Sequence, residues 1–345
     1  MGNEKKIKFT YFLGVDVSRD KLDFALIKDS KQILHSVIEN EKSSITFFLK
    51  SLKEFDRFTY RKCLVCMEDT GFYCNHLTDC LNKHHMLFVK ENALKIKRAL
   101  GVQRGKTDKA DALRIAQYGQ RHQDDLYFKK NRRPVIFKLA GLCSLRNRLG
   151  LLHNSIKIPL NEQRHFIKKS AARQDGKLCE GTLKAINEDL RVIEKEIDQT
   201  IRTDERLSHL MKIIQSVPQI GPVTAMHIII STNEFKDINT AKKFACYSGV
   251  APFPNESGTM RRKMRISHIA NKKMKALLHI CALGAIRNIT EIREYYQRKT
   301  ILEGKPKMSV INAVRFKLIL RVFTCVNHNR QYSLEYKSSN LSSHH

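Results

Sequence analysis

The chain has 345 residues, enough for two or three domains, and its 42% hydrophobic content supports true cores. Its 63 Lys and Arg against 34 Asp and Glu leave a formal net charge of +29, a balance that points to a polyanionic partner, most commonly nucleic acid. A membrane role is excluded at this level: no apolar run approaches the roughly 18 residues a span needs, Trp is absent, and the first residues show no signal-peptide core, so a cytoplasmic protein is expected.

Residues 8–17 read as an apolar strand ending at Asp16, 22–28 as a second strand and 32–39 as a third. Helical spacing covers 44–55 through Ile45, Phe48, Leu49 and Leu52. A short buried strand, Leu64-Val65-Cys66-Met67, ends at Glu68; a helix over 71–82, a strand over 85–89 and a helix over 92–100 follow. Then Lys106-Thr107-Asp108-Lys109-Ala110-Asp111-Ala112 opens a helix that runs to about 119. Thr107 suits the N-cap, and Asp108 and Asp111 share one face of the first turn, where negative charge is best tolerated.

Three strands in a row followed by crossovers make a mixed sheet with helices on its faces, in a ribonuclease-H-like order. Asp16 and Glu68 come close only if their strands are neighbours, and the late helix then carries Asp108 and Asp111 over them. Clustered carboxylates repel unless cations bind them, and four suit a pair of Mg²⁺ ions about 4 Å apart. The nine cysteines read as reduced thiols. Cys63, Cys66, Cys74, Cys80 and His84 suggest zinc by spacing, but Cys63 and Cys66 fall in an apolar strand, on opposite faces.

Lys129-Lys130-Asn131-Arg132-Arg133-Pro134 is a basic break and the expected domain boundary. Beyond it, Leu139, Leu142, Leu145, Leu149, Leu152 and Ile156 form one heptad-like seam, which Pro159 interrupts; Leu183, Ile186, Leu190, Ile193, Ile197 and Ile201 form another. The two helices can pair with each other or with a second subunit, and the narrow seams favour self-association. Residues 163–180 are basic and poorly patterned. Ser216-Val217-Pro218-Gln219-Ile220-Gly221-Pro222-Val223-Thr224-Ala225 is a tight turn feeding a helix, backbone amides forward, as in phosphate contacts of helix-hairpin-helix units. A helix over 239–249 leads to Val250-Ala251-Pro252-Phe253-Pro254-Asn255-Glu256-Ser257-Gly258-Thr259, which looks too rich in Pro and Gly for regular structure. The basic residues Arg261, Arg262, Lys263 and Arg265 follow, then a helix over 271–289 with Lys272 and Lys273 at its start, another over 307–326, and a polar tail. The six named basic residues suit nucleic-acid contacts, each with solvated surface charge as its alternative, and Tyr73 can stack on a base or simply pack.

Six motifs carry a resemblance in one order: Gly14-Val15-Asp16-Val17-Ser18, Met67-Glu68-Asp69-Thr70-Gly71, the Lys106–Ala112 stretch, the Val217–Ala225 turn, Ser257-Gly258 and Arg265-Ile266-Ser267. Together they resemble the DEDD insertion-sequence transposases of the IS110 family, relatives of the Piv DNA invertases, over residues of about 9–325. The resemblance implies an α/β plus α chain: a RuvC/ribonuclease-H-like domain (1–128), linker and coiled-coil helices that join protomers (129–208), a mostly helical transposase domain (209–330) and a tail (331–345). It implies Asp16, Glu68, Asp108 and Asp111 as Mg²⁺ ligands and Ser257 as a nucleophile that becomes covalently joined to DNA, with Ser267 as a second candidate. Partners implied are donor and target DNA, a structured bridge RNA that pairs with both, and further copies of the chain as a dimer or tetramer. A hydrolytic RuvC-like Holliday-junction nuclease and a non-catalytic nucleic-acid-binding protein are the alternatives. Three positions depart from the family pattern: Gln219 stands where the turn usually has Gly, His268 replaces Lys and Ala270 replaces Gly.

Overall fold

The computed structural model describes residues 8–101, 108–126, 128, 132–257, 260–266 and 270–333, with backbone alone for residues 100, 252–257 and 260–266. The chain divides into two compact units, residues 1–129 and 130–345.

The first unit is built on five strands: β1 (Tyr11–Val17), β2 (Lys21–Lys28), β3 (Lys31–Glu39), β4 (Cys63–Glu68) and β5 (Leu87–Glu91). They lie in the order β3-β2-β1-β4-β5, so the two strands that end on acids are neighbours. β1 pairs antiparallel with β2 and parallel with β4, and β5 runs parallel to β4. The mixed sheet follows from the connections: short turns join β1, β2 and β3, whereas the parallel strands require crossovers.

Helices α1 (Lys42–Ser51) and α2 (Asn75–Lys83) cover one face; α3 (Ala93–Leu100) and α4 (Asp108–Arg121) cover the other. Strand alternation sorts the core between them. Leu13, Val15, Cys63, Val65 and Met67 pack with Ile45, Phe48, Leu49, Leu77 and Leu81. Phe12, Leu64, Cys66 and Val89 pack with Ile96, Ile115, Ala116 and Tyr118. Cys63 and Cys66 therefore belong to opposite faces, and burial pushes both thiols well above their ordinary range, as expected of inert core cysteines. Gly14 sits where α4 crosses β1. A Cβ there would overlap the Ala112 carbonyl oxygen and the backbone of Ala116, so only glycine lets the helix lie this close.

The second unit is helical around one core. α5 (Pro134–Gln163) and α6 (Lys169–Arg202) lie against each other antiparallel, as the pairs Lys138–Glu196, Arg146–Glu194 and Gln163–Asp175 show. The expectation that Pro159 interrupts the first helix is corrected: Pro159 lies inside α5. Both it and Ser155, whose carbonyl loses its helical donor, are exposed, so water can serve that carbonyl. The poorly patterned stretch is also helical from Lys169 onward, being rich in good helix formers. The narrow seams are used within the chain at the base of the pair, where Ile136, Leu139, Ile193 and Ile197 are buried.

Below this base, α7 (Glu205–Gln215), α8 (Pro222–Thr232), α9 (Ala241–Tyr247), α10 (Lys272–Asn288) and α12 (Lys307–Asn327) enclose Ile214, Ile229, Phe244, Leu278 and Leu318. A short polar helix, α11 (Thr290–Gln297), was not apparent in the sequence pattern. After α8, Asn233, Glu234 and Phe235 run left-handed with φ of 50°, 56° and 63°. Three such non-glycine residues in succession are strained, and ion pairs anchor the middle one. The fully buried Glu234 carboxylate takes Arg133 at 2.6 Å, Lys236 at 3.0 Å and Arg206 at 3.2 Å, while Arg133 also grips Asp204 at 2.7 Å.

The Pro/Gly-rich loop expected over 250–259 is a β-hairpin: β6 (Pro252–Ser257) pairs antiparallel with β7 (Met260–Ile266). Pro254, which has no N–H for a ladder, falls at the register irregularity between Phe253 and Asn255, where a proline is tolerated.

Candidate active site

Asp16 and Glu68 lie on adjacent parallel strands, one step beyond the last register pair, Val15 with Met67. Both positions share the parity of Phe12 and Leu64, which packs on the α4 side of the sheet. The first turn of α4 brings Asp108 and Asp111 to the same end. Charge coupling reports the convergence. Partial burial first, then Glu68, Asp108, Asp111 and Asp23, lift the Asp16 carboxyl from 3.8 to about 6. Four of the five proposed site residues thus gather in the first unit. Thr107, the expected N-cap of α4, lies outside the described residues.

Asp23 was not singled out from sequence. It stands opposite Asp16 in the β1–β2 register and is only 4% exposed. In an alternating strand a polar residue normally faces water; here that face is covered by α4. The available signal was an acid within the apolar run Leu22-Asp23-Phe24-Ala25-Leu26. Lys21 Nζ is 3.4 Å from Asp23 Oδ2 and 2.6 Å from Asp108 Oδ2, and His35 Nε2 is 3.5 Å from Asp23 Oδ1. Asp111 pairs with Arg114 at 2.7 Å.

The donor set fits a divalent metal: hard carboxylate oxygens, partly buried, crowded enough to raise a pKa. Among the described residues, no three or more Asp, Glu, His or Cys side chains are arranged to hold an ion as they stand. Asp108 is engaged by Lys21 and Asp111 by Arg114.

Ser257 belongs to the second unit and is the last residue of β6, paired with Met260 across the expected Ser-Gly motif. Arg261, Arg262, Lys263 and Arg265 all lie on β7; Gly258, Ser267 and His268 are outside the described residues. Lys272 and Lys273 open α10, whose N-cap Asn271 accepts a hydrogen bond from Met274 N at 2.8 Å. The Val-Pro-Gln-Ile-Gly-Pro turn does feed α8, with Pro222 in its first turn. Gln219 takes φ of 71°, a left-handed conformation that explains why glycine is usual there. Among the described residues, no helix is long and apolar enough to cross a membrane.

Residues 13–152 match the family model of the DEDD transposases of IS110, described as "Transposase", and residues 211–297 match that described as "Transposase IS116/IS110/IS902 family". The chain is 21% identical over 332 residues to the pilin gene-inverting protein of Moraxella bovis, covering 93% of this chain and 97% of that protein. It is also 21% identical to the pilin gene-inverting protein of Moraxella lacunata, again over 93% and 97% of the two chains. An insertion element IS116 protein of Streptomyces clavuligerus is 28% identical over 117 residues, which is 34% of this chain and 28% of that one. With two models matched in order and relatives aligned nearly end to end, the chain belongs to the IS110 family of DEDD transposases and is an enzyme of DNA transposition and recombination.

Proposed function

We propose that this transposase cuts and rejoins DNA strands through a covalent phosphoserine at Ser257, with Asp16, Glu68, Asp108 and Asp111 holding divalent metal, most simply two Mg²⁺ ions. The observation that carries the reading is the gathering of Asp16 with Glu68, Asp108 and Asp111, which, after partial burial as the larger cause, lifts Asp16 to about 6: a protein keeps carboxylates this close where a cation is to be bound. Bound metal supplies Lewis-acid stabilisation of the scissile phosphate and of the departing oxygen.

The remaining steps belong to the chain. The first unit serves as the RuvC-like catalytic domain, and residues 209–330 present the serine. Ser257 Oγ attacks phosphorus in line; the Oγ–P bond forms as the P–O3′ bond breaks. The proton lost by Ser257 is balanced by the one gained at the 3′ oxygen. The ester conserves bond energy, so strands rejoin without ATP. Arg261, Arg262, Lys263, Arg265, Lys272 and Lys273 neutralise phosphates. The relatives named for gene inversion and for insertion elements support DNA as the substrate. Guidance by a bridge RNA, assembly as a dimer or tetramer through the α5–α6 pair, and a cytoplasmic location complete the reading.

The test is to purify the full chain, sequence the RNA that accompanies it, and supply matching DNA with Mg²⁺. A protein–DNA adduct lost in Ser257→Ala is expected. Cleavage that survives in Ser257→Ala without any adduct would instead identify water as the nucleophile and the chain as a hydrolytic nuclease.

A further inference from the structure

A second polar site lies in the second unit, in a pocket of about 200 Å³ between α5, α8 and α10. Each helix contributes residues one turn apart: Arg146 and Asn147 follow Cys143 on α5, Met226 and His227 follow Val223 on α8, and Leu277 follows Lys273 on α10. Helical spacing places these groups on the facing sides of three helices. Met226 and Leu277 supply apolar wall, while Arg146, Asn147, His227 and Lys273 supply hydrogen-bond donors.

The donors have almost nothing to donate to. Among the described residues, no carboxylate lines the pocket, and the side chains of Asn147, His227 and Lys273 have no hydrogen-bond or ion-pair partner. Arg146 binds Glu194 through Nε and Nη2 at 2.9 and 2.7 Å, which leaves Nη1 unbonded. The positive charges of Lys273 and of Arg146, the latter shared with Glu194, act on the pocket's other groups. Burial, then Lys273 and Arg146, lower His227 from 6.5 to about 4; burial also lowers Lys273, with Cys143 opposing and Arg146 adding to the shift. Cations that repel one another at the mouth of a cavity are stabilised by an anion. The volume equals several water molecules at about 30 Å³ each, room for a tetrahedral oxyanion.

We infer that Arg146, Asn147, His227 and Lys273 form a binding pocket for one phosphate group of a nucleic-acid backbone. The identity of the strand rests on the proposed function; the oxyanion chemistry does not. A phosphate offers acceptor oxygens on several sides, matching an ammonium, a guanidinium N–H, an amide and a neutral imidazole N–H arriving from three helices. Such a contact positions a strand without reading its sequence.

The test is lysine reactivity in the full chain. A limiting amine-acylating ester is applied with inorganic phosphate or with chloride at matched ionic strength, and modification of Lys273 is followed by peptide mass spectrometry. Lys195, exposed on α6 and not lining the pocket, is the internal control. Phosphate is expected to slow acylation of Lys273 about tenfold, the size of one charge-assisted hydrogen bond, and to leave Lys195 unchanged. Asn147→Leu and His227→Leu are expected to erase that protection. Equal slowing by chloride, equal slowing at Lys195, or protection that persists in both variants would overturn the assignment.

DNA and RNA oligonucleotides then run as separate arms. Protection of Lys273 by a strand, lost in the two variants, identifies the source of the phosphate. If the chain binds strands but Lys273 stays as reactive as without them, the pocket assignment fails while the proposed function stands. If the chain binds neither strand at low salt, the proposed function fails, and the inorganic-phosphate arm still decides the pocket.

Discussion

Lys21 Nζ lies 2.6 Å from Asp108 Oδ2, joining β2 to the first turn of α4 across 87 positions of sequence. The same ammonium is 3.4 Å from the buried Asp23, so a fixed positive charge already stands at the edge of the acidic cluster. A divalent ion drawing on Asp108 has to compete with it. Lys21→Met is therefore expected to tighten Mg²⁺ or Mn²⁺ binding by about three- to tenfold, a modest effect because both partners are half exposed. Calorimetric titration of the two proteins checks this; unchanged or weaker binding in the variant would show that Lys21 does not compete.

Asp16 gives the pH dependence. Its folded pKa of about 6 lies above the ordinary 3.8, so the folded state binds the proton more tightly than the unfolded one. Without metal, the resulting penalty is absent below about 3.8, grows as pH rises between the two values, and is complete above about 6. After discounting for solvent screening, Asp16→Asn should stabilise the metal-free protein by about 1–2 kcal/mol at pH 8 and by almost nothing at pH 4. Urea denaturation at the two pH values reads this out. Added Mg²⁺ should raise the melting temperature of the parent but not of the variant.

Arg133 makes the opposite kind of contribution. It holds the Asp204 and Glu234 carboxyls below their usual range, and Glu234, despite burial that pushes it upward, ends lowered because Arg133 and Lys236 bond to it. Both groups stabilise the fold above the ordinary carboxylate pKa, and that stability is lost as pH falls through their lowered values. Arg133→Met leaves Glu234 with Lys236 and Arg206 alone, so a loss of about 2–4 kcal/mol is expected at pH 7, shrinking in acid. Thermal melts across pH test both parts.

Gln219 carries its strain in the backbone. With φ of 71°, it adopts a conformation that glycine reaches without a Cβ penalty. Its side-chain contact with Asn288, at 3.4 Å, is too long to offset that penalty. Gln219→Gly should stabilise the second unit by about 0.5–1 kcal/mol, the gain being partly cancelled by a freer unfolded chain. Denaturant midpoints for the parent and variant are the measurement.

Much of the first unit was legible because apolar runs there end on acids. Asp16 and Glu68 each close a strand, and the three-strand start followed by crossovers leaves the order in which those strands touch. Asp23 was illegible for the complementary reason: strand alternation does not reveal whether both faces are covered. In the second unit, composition misled. Pro252, Pro254 and Gly258 look like loop residues, yet one proline opens a strand and the other falls at an irregularity, so an antiparallel pair survives. Pro159 does not end α5: a proline disfavours a helix interior without forbidding it, and here the freed Ser155 carbonyl is at an exposed position. The phosphate pocket is dispersed over positions 146, 147, 227 and 273, and no local pattern joins such residues before the helices meet.

Gly14 makes the acidic cluster depend on an atom that is absent. The gap between β1 and α4 is closed to backbone contact at Gly14, only two residues from Asp16, and Ala112 on the facing helix is next to Asp111. Any wedge inserted there would lift the helix as a rigid lever, carrying Asp108 and Asp111 away together while Asp16 and Glu68 stayed with the sheet. The spacing within each pair of acids is thus a local matter, whereas the spacing between the pairs is calibrated at one glycine.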